Sequence, residues 1–478
     1  MAKVIGLVES VCPNCLKKIM GQKVEYEDEV YLEKNCEEHG FFKTLIWEGK
    51  NYEDWGGVEK YTTPEVLGSE VNKGCPYDCG ICSEHRQETC CVLLEITNRC
   101  NLKCPICFAS SNENIKPDIS LERIGEYYDY LMECGGPYNI QLSGGEPSLR
   151  DDLDEIIKMG RDKGFTFFQL NTNGIRIAED ENYIKKLAKA GLNTVFLQFD
   201  GFSDEVYMKL RGKKLLRTKL KAIENCKKAG VGVVLVPTIK QDVNVSEIGK
   251  IIKFAIDNMP AIRGVHFQPI SFFGRYEGRD ENYRITIPKM LREIEAQTNG
   301  QMKFENFMGG GAENSYCSFH ANFLVNEDKS LRPLGSKSGC CSKPSSSKQS
   351  REFVAKQWSG VEGCCDEEVN TCCCEEEVNT CCCQETIENS CCCEEEAVET
   401  SCCCSDEKTS STQSLDDFLE RFDKYTLAIS AMLFQDAWNL DLNRLKQCYI
   451  HVVSEDMKLI PFCAYNLTSI DNQSLYRR

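Results

Sequence analysis

The stretch VLLEITNRCNLKCPICFAS, residues 92–110, decides the fold because it joins an apolar strand directly to a cysteine-rich loop. The loop carries Cys100, Cys104 and Cys107 at a tight spacing. A 4Fe-4S cluster normally takes four cysteine ligands, so three at this spacing leave one iron open to a small molecule. The spacing alone also fits a zinc site, or an electron-transfer cluster whose fourth cysteine lies elsewhere.

Downstream of this stretch, short apolar runs alternate with helical patterns. The runs are VLLEIT, YNIQL, FTFFQL, TVFLQF, VGVVLVPT and VHFQP, and the helices are expected over 120–134, 151–163, 179–190, 216–229 and 245–257. Six such strand-helix units predict an α/β fold with a parallel sheet and right-handed crossovers. We expect a partial (β/α)6 barrel over residues 92–335, with its active face built by the loops that follow the strands.

A second motif, SGGEP at residues 143–147, follows the next predicted strand. Together with the CxxxCxxC spacing and the aromatic Phe108, it resembles the radical S-adenosylmethionine superfamily over roughly residues 92–275. A single GGEP is a weak signal, but its position after the second strand makes the combination specific. The resemblance implies the barrel fold and an enzyme that uses S-adenosylmethionine.

The resemblance also implies roles for individual residues. Cys100, Cys104 and Cys107 would be the catalytic cluster ligands, with the open iron holding the amino and carboxylate groups of S-adenosylmethionine. Reductive cleavage would give methionine and a 5'-deoxyadenosyl radical, which abstracts hydrogen from an unactivated carbon. The expected cofactor-binding residues are Phe108, Ser143, Gly144, Gly145, Glu146, Asn173, Gln198 and Asp200.

Polar residues that end the later strands are expected to face the same mouth of the barrel. They are Asn171, Asn173, Gln198, Asp200, Thr238, Gln268 and Ser271. Each of them taken singly could equally cap a strand-end turn. We expect direct contact with the cofactor from Asn173, Gln198 and Asp200.

Residues 1–60 form a separate unit in which two small turns, CPNC and CEEH, flank a segment with strand-like alternation. Cys12, Cys15, Cys36 and His39 have a spacing typical of a tetrahedral zinc ribbon. The alternative is a rubredoxin-like mononuclear iron that relays electrons. Either interpretation predicts a metal-binding ribbon.

Residues 61–91 repeat the CxxxCxxC spacing at Cys75, Cys79 and Cys82. No strand is predicted before this segment and no GGEP follows it in register. With Cys90 or Cys91 as the fourth ligand, it would hold a closed auxiliary 4Fe-4S cluster. Structural zinc is the alternative.

Residues 413–478 return to a globular composition and are expected to form a cap that folds back on the barrel, with a helical pattern over SLDDFLERFDKYTLAI. Cys317, Cys448 and Cys463 lie beyond the barrel and could meet in space around a second closed cluster. The alternative is that they are buried cysteines that act as small hydrophobic residues.

Residues 336–412 interrupt this order with CCC blocks that begin at 372, 381, 391 and 402. Acidic, hydroxylic spacers separate the blocks, so the segment cannot bury a core and should be disordered without metal. Clustered thiolates favour soft metals or metalloids. A low-complexity expansion in a surface loop is an equal alternative.

The composition limits the function further. The net charge is −18, but residues 361–407 contain 15 of the 74 acidic residues and no Lys or Arg, so the rest of the chain is near neutral. That balance gives no electrostatic case for nucleic acid. We predict no secretion signal and no transmembrane segment. The 32 cysteines therefore indicate metal ligands in a reducing, cytoplasmic setting.

The arrangement of ribbon, GCPYDCGIC, ITNRCNLKCPICF, SGGEP and a terminal IPFCAYN is similar to one branch of the superfamily. That branch contains archaeal tetraether lipid synthases and hydroxymethylpterin methyltransferases. It implies carbon-carbon bond formation, which we expect on a lipid-like substrate, with methyl or one-carbon transfer to a pterin as the alternative. A reducing partner such as ferredoxin or flavodoxin and a peripheral membrane contact would follow. A different class of function is thiol-rich metal or metalloid binding.

Overall fold

The computed structural model of the 478-residue chain describes residues 2–50, 52–56, 62–112, 116–276, 284–335, 347–360 and 415–477. The contacts divide the chain into two compact units, Met1–Val361 with Arg421–Arg478, and Glu362–Glu420. Of the second unit, the structure describes only the start of one helix, from Leu415 onward. The four CCC blocks, and the prediction attached to them, lie outside the described residues.

The N-terminal residues form a four-stranded antiparallel sheet in sequential order. Its strands are β1 Ala2–Val11, β2 Lys18–Tyr26, β3 Glu29–Cys36 and β4 Gly40–Glu48, followed by the short helix α1 Tyr52–Trp55. The two predicted turns join β1 to β2 and β3 to β4. The sheet therefore brings the two halves of the ribbon's cysteine set to the same end.

The central sheet contains six neighbouring parallel strands, as the sequence pattern predicts. They are β5 Cys91–Thr97, β7 Asn139–Gly144, β8 Phe168–Thr172, β9 Thr194–Gln198, β10 Gly232–Val236 and β12 Ile262–Pro269. There are also three two-residue strands: β11 Thr238–Ile239 pairs with β12, and β6 Ile106–Cys107 and β13 Arg275–Tyr276 form a separate two-stranded sheet. β6 pairs with β13, so the cysteine loop is hydrogen-bonded to the segment that follows β12.

Helices connect the parallel strands. They are α2 Leu121–Glu133, α3 Leu153–Asp162, α4 Ile175–Glu179, α5 Glu181–Lys189, α6 Asp204–Arg211, α7 Leu216–Lys228, α8 Gln241–Asn244 and α9 Ile248–Asp257, with α10 Ile287–Gln297 after the last unit. Side-chain caps define several starts: the Ser120 hydroxyl accepts from the Arg123 amide, and the Ser203 hydroxyl accepts from the Glu205 amide. The five predicted helices are present within a few residues of their expected bounds.

Apolar and polar side chains alternate along β7 and lie on opposite faces of the sheet. Ile140 and Leu142 are fully buried in the core with the helices, whereas Asn139, Gln141 and Ser143 line an internal cavity. Successive side chains of a strand point to opposite faces. The inner face of this sheet is therefore polar in places where the outer face is aliphatic.

The C-terminal residues differ from the expected cap, because two of their strands extend the central sheet. Their elements are β14 Met308–Gly309, β15 Ser318–Val325, β16 Leu331–Leu334, α11 Ser347–Trp358, α12 Leu415–Lys424, β17 Thr426–Met432, α13 Leu442–Leu445, β18 Ile450–Val453, β19 Leu459–Pro461 and α14 Phe462–Tyr465. β17 pairs parallel with β12, and β18 pairs parallel with β5. The segment TLAI, expected to be helical, is thus a strand, because its apolar residues are buried by sheet pairing on both sides.

The predicted insert, residues 336–412, contains an ordered helix, α11. Residues 347–358 were expected within a disordered stretch, but they form a helix held by long polar side chains. Arg351 donates to the Thr89 carbonyl at 2.9 Å, and Gln357 donates to the Thr426 carbonyl at 2.7 Å. Trp358 reaches the central cavity. Among the described residues, no helix combines the length and the apolar composition needed to cross a bilayer.

Candidate active site

One cavity of about 300 Å³ occupies the centre of the sheet and is lined by residues from all six parallel strands. Most of the predicted site residues lie on its wall: Cys100, Cys104, Cys107, Phe108, Ser143, Gly144, Gly145, Glu146, Asn173 and Gln198. The strand-end residues Asn171, Thr238, Gln268 and Ser271 also line it. The structure therefore brings together residues that are spread over more than 150 positions of the sequence.

The cysteine loop is held in shape by two side chains. Asn112 accepts from the Cys100 amide at 2.9 Å and donates to the Cys100 carbonyl at 2.7 Å. Arg275 donates to the Cys104 carbonyl at 2.8 Å, and its strand β13 pairs with Cys107. These contacts fix the backbone on both sides of the three thiols, which line the cavity.

The environment of these thiols fits an iron-sulfur cluster. Burial raises the pKa of Cys100 to about 12 and also raises the pKa of Cys104, so thiolates here need a positively charged metal partner. Among the described residues, the one set of three or more ligand atoms close enough to hold a single ion is Cys12, Cys15, Cys36 and His39 of the ribbon. Cys100, Cys104 and Cys107 are not such a set, which favours a multi-atom cluster over a single zinc ion.

The two glycines of SGGEP allow two backbone segments to approach closely. A Cβ atom on Gly144, where φ is +124°, would lie 2.1 Å from the Thr97 carbonyl oxygen, and one on Gly145 would lie 2.2 Å from that of Arg99. The Gly145 and Glu146 amides donate to these same carbonyls, both at 2.8 Å. We expected the glycines to allow close approach of the cofactor. In the structure they allow close approach of the loop that carries Cys100.

Glu146 is almost fully buried, and its carboxylate accepts four hydrogen bonds. One oxygen accepts from the Ser148 amide at 3.1 Å, the Ser148 hydroxyl at 2.5 Å and the Thr172 hydroxyl at 2.6 Å, and the other accepts from the Asn173 amide at 2.7 Å. The side chain therefore ties the end of β7 to the end of β8. Three of these bonds fall on one oxygen and one on the other, so contacts within the chain use most of the acceptor capacity of Glu146.

Asp200 is the one predicted cofactor residue that does not line the cavity. It is fully buried behind Arg211, which pairs with both carboxylate oxygens at 2.7 Å. The Thr238 amide donates to it at 3.0 Å. A carboxylate without water requires such partners, so Asp200 orients the guanidinium of Arg211, which is the group that reaches the cavity wall.

Lys219 and Arg211 are site residues that the sequence analysis missed. Lys219, on α7, is fully buried and donates to the Asn173 carbonyl at 2.5 Å. Burial lowers its pKa to about 7. Asn173 is therefore held from behind by a lysine, whereas Gln198 lies beside Arg211, which can donate to its carboxamide oxygen at 3.0 Å. A period-3.6 pattern with a charge on its apolar face was the available signal.

The ribbon residues meet as predicted. The ligand atoms of Cys12, Cys15, Cys36 and His39 all lie within 4.8 Å of one another. The Nδ1 atom of His39 is 3.7 Å from the sulfur of Cys12 and 3.4 Å from that of Cys36. Three sulfurs and one imidazole at this separation fit a tetrahedral zinc site.

The predicted auxiliary set is only partly assembled. Cys75, Cys79 and Cys82 line one small cavity, but Cys90 lines the central cavity instead. The reason is that the Cys90 amide donates to the Tyr449 carbonyl at 2.8 Å, which places it with the sheet next to β5. Cys90 is therefore not brought to the other three thiols.

Cys317, Cys448 and Cys463 are brought together, as we expected for the second set. All three line one small cavity beside Glu313, although they come from three separate parts of the chain. Arg444 donates to the Cys317 sulfur at 3.4 Å, and the Gln435 amide donates to the Cys463 sulfur at 3.3 Å. Cys463 is buried and Cys317 and Cys448 are partly buried, so three sulfurs around one space form a donor set that suits a cluster.

Comparisons with known proteins agree with this geometry. The radical SAM superfamily pattern matches residues 94–255, and the HMPTM N-terminal zinc ribbon pattern matches residues 4–48. The 7,8-dihydro-6-hydroxymethylpterin dimethyltransferase of Methanocaldococcus jannaschii is 36% identical over 469 residues, which is 96% of this chain and 92% of that protein. The chain belongs to the radical SAM superfamily.

More distant similarities are shorter. A GTP 3',8-cyclase of Nautilia profundicola is 32% identical over 179 residues, which cover 37% of this chain and 55% of that protein. The crystal structure of Streptococcus suis SuiB bound to S-adenosylmethionine is 16% identical, with a TM-score of 0.37. It covers 45% of this chain, which spans about half (48%) of the SuiB chain. The superfamily assignment rests on the sequence matches.

As a radical SAM enzyme, the protein uses a 4Fe-4S cluster and S-adenosylmethionine, and its N-terminal unit is a zinc ribbon. The three cavity thiols are the donor set that suits such a cluster. The zinc ribbon match favours zinc over the mononuclear iron that we considered for the same four ligands.

Proposed function

We propose that this radical SAM enzyme transfers a methyl or one-carbon unit to a pterin-type heterocycle. Its support is the relative named as a dimethyltransferase of 7,8-dihydro-6-hydroxymethylpterin, which matches over nearly the whole of both chains. We had expected a lipid-like substrate first and a pterin as the alternative. The full-length match favours the alternative.

The cavity wall supports the same choice. Besides the cluster loop, it carries the side chains of Gln141, Gln169, Asn171, His266 and Gln268. An alkyl chain would leave the buried Oε1 atom of Gln169 without a partner, at about 1–3 kcal/mol. A heterocycle with N–H groups can donate a hydrogen bond to this atom.

The roles of the cluster loop and the strand ends follow from their contacts. When bound, the cluster supplies the electron that cleaves S-adenosylmethionine and so starts the radical reaction. Cys100, Cys104 and Cys107 would hold it, while Asn112 and Arg275 fix the loop backbone.

Gly144 and Gly145 allow the loop to lie against β7. Glu146 and Lys219 hold the end of β8 in place through Asn173.

We further propose that the two other cysteine sets hold auxiliary 4Fe-4S clusters. Cys75, Cys79 and Cys82 form one set, and Cys317 and its two partners form the other. The second set lies beside the central cavity, because Phe434 and Phe462 line both spaces. Electrons from a ferredoxin or flavodoxin could pass by this path, in a cytoplasmic setting.

The test is an anaerobic assay of the iron-loaded protein with a reductant, 7,8-dihydro-6-hydroxymethylpterin and S-adenosylmethionine, of which one molecule supplies the deoxyadenosyl radical and a second supplies the methyl group and leaves as S-adenosylhomocysteine. Wild type should form 5'-deoxyadenosine and a pterin heavier by one or two methylene units, measured by liquid chromatography and mass spectrometry. Cys104→Ala should form neither product, because the cluster loses a ligand. Cys134→Ala, a half-buried thiol at the end of α2, should behave as wild type.

Two outcomes separate the levels of the proposal. If wild type forms deoxyadenosine but never a heavier pterin, the proposed methyl transfer from S-adenosylmethionine to the pterin is wrong and the superfamily chemistry stands. If Cys104→Ala forms as much deoxyadenosine as wild type, the assignment of the cluster loop is wrong.

A further inference from the structure

The inner face of the sheet is divided into an amide wall and an aromatic wall. The amide wall consists of Gln141 on β7 and of Gln169 and Asn171 on β8. Gln141 and Gln169 are register partners in the two adjacent strands. Side chains at neighbouring inward positions can therefore hydrogen-bond along the wall, across the strands.

The amide side chains form a directed chain of hydrogen bonds. Gln169 Nε2 donates to Asn171 Oδ1 at 2.7 Å, and Asn171 Nδ2 donates to Gln141 Oε1 at 3.2 Å. Gln141 Nε2 then donates to the Cys91 sulfur at 3.3 Å. Burial raises the pKa of the Cys91 thiol, so this end of the chain stays neutral. Hydrogen bonds in such a series polarise one another and strengthen the acceptor at the open end.

That open end is the Oε1 atom of Gln169. The residue is 1% exposed and lines the cavity, and its carboxamide oxygen has no hydrogen-bond partner within the described part of the chain. Buried polar atoms normally have partners, and leaving one without costs about 1–3 kcal/mol. An acceptor kept at this energetic cost inside a cavity indicates a ligand that donates an N–H group.

The aromatic wall consists of Phe196 on β9, His266 on β12 and Trp358 at the end of α11. Phe196 on β9 is the register partner of Asn171, so the two walls meet there. Its ring centroid lies 4.8 Å from that of Trp358 and 5.5 Å from that of His266. Burial lowers the pKa of His266 to about 4, so all three rings are uncharged at neutral pH. Aromatic faces of this kind contact flat rings.

We propose that these two walls bind the 2-aminopyrimidin-4-one part of the substrate, with Gln169 Oε1 accepting from its 2-amino group and Phe196 and Trp358 contacting its face. The inference deepens the proposed function and rests on it for the choice of a pterin. Recognition by one buried acceptor strongly rejects an analogue that lacks the matching donor.

Guanine nucleotides contain the same pyrimidinone edge as pterins. The two classes of ligand differ in charge, because the nucleotides carry phosphates. Two of the described residues on the cavity wall are arginines. Arg211 is paired with Asp200, and Arg275 donates to the Cys104 carbonyl. A triphosphate needs cations that it can reach without breaking other pairs. The wall therefore favours the uncharged pterin.

The experiment measures dissociation constants of the iron-loaded protein for three probes by fluorescence titration or equilibrium dialysis. The probes are 7,8-dihydro-6-hydroxymethylpterin, its analogue without the 2-amino group, and GTP. Gln169→Leu is compared with Gln241→Leu as the matched control. Gln241, at the start of α8, is a half-buried glutamine whose Oε1 is also without a partner in the described structure, but it does not line the cavity.

We expect wild type and Gln241→Leu to bind the pterin about 10- to 100-fold more tightly than the analogue. Gln169→Leu should bind both weakly and lose this discrimination. Circular dichroism and S-adenosylmethionine binding report whether each variant folds. The comparison of the two pterins on wild type needs no variant, so a misfolded Gln169→Leu does not remove the test.

The other outcomes are equally definite. Discrimination that persists in Gln169→Leu would overturn the inference, as would a wild type that cleaves S-adenosylmethionine yet binds none of the probes. Tight binding of GTP that Gln169→Leu abolishes would support recognition of the pyrimidinone edge. That same result would remove the pterin from the proposed function.

Discussion

At Gly145, one missing methyl group decides whether the cysteine loop can reach the neighbouring strand. The strand end and the loop are joined by the hydrogen bonds that Gly145 and Glu146 donate to the carbonyls of Thr97 and Arg99. Neither bond forms if a side chain stands between the two segments. At this scale, the site is built from backbone contacts as much as from ligands.

Gly145→Ala should therefore displace the loop, since its Cβ would lie 2.2 Å from the Arg99 oxygen. We expect destabilisation by about 1–3 kcal/mol, as for an overpacked core, and loss of iron at the three-cysteine site. Thermal unfolding and iron content of the reconstituted protein measure the two effects.

Gly6→Ala is the matched control, because nothing lies within 4 Å of its added methyl group. It should keep both the stability and the iron content of wild type. Full iron loading of Gly145→Ala at the wild-type unfolding temperature would contradict the role given to this contact.

Helix α11 is an element that the sequence analysis did not predict. It lies in a stretch of biased composition, yet its last residue packs on Phe196 and closes part of the cavity. Tertiary contacts to β9 and to the backbone of β17 stabilise it. The helix therefore contributes Trp358 to the aromatic wall, and residues 361–414 follow it in the sequence.

Trp358→Ala should weaken pterin binding and lower the free energy of unfolding by about 2 kcal/mol, because it removes an aromatic partner of Phe196. Phe353→Ala, on the same helix, removes a ring that is 51% exposed and should change stability by about 0.5 kcal/mol at most. Chemical denaturation and the KM for the pterin give the two quantities. Equal effects of the two substitutions would show that α11 does not form part of the binding wall.

At the scale of the whole molecule, hydrogen bonds and an ion pair join the zinc ribbon to residues 437–441. Lys34 on β3 is 2% exposed and donates to the Ala437 carbonyl at 2.6 Å. Lys23 pairs with Asp441 at 2.8 Å, and Ser10 donates to the Leu440 carbonyl at 2.6 Å. This segment leads into Cys448, so the ribbon supports the region of the second cysteine set.

Removal of the ribbon's metal should therefore be felt outside the ribbon. Cys15→Ser is expected to lose one zinc per chain, to lower the unfolding temperature and to speed amide exchange around residues 437–449, because zinc binding supplies much of the folding energy of such a small unit. Metal analysis and hydrogen-deuterium exchange measure this. Cys134→Ser, outside every thiol set, should leave both unchanged; zinc loss without faster exchange at 437–449 would show that the fastening is not structural.

The sequence by itself determined the barrel, the ribbon and the cluster loop, because each depends on local information. Strand and helix periods are written in consecutive residues, and the metal ligands sit a few positions apart, as Cys100, Cys104 and Cys107 do. The polar residues Gln141 and Gln169, which interrupt apolar strands, were visible but were not interpreted as a binding wall.

Only the tertiary structure decided what depends on pairing between distant segments. It placed Asp200 behind Arg211, Cys90 on the central cavity and β17 beside β12. Each outcome is set by which backbone groups and charges find partners across the fold, and a linear pattern does not contain that information. The buried, unpartnered oxygen of Gln169 is a property of the same kind.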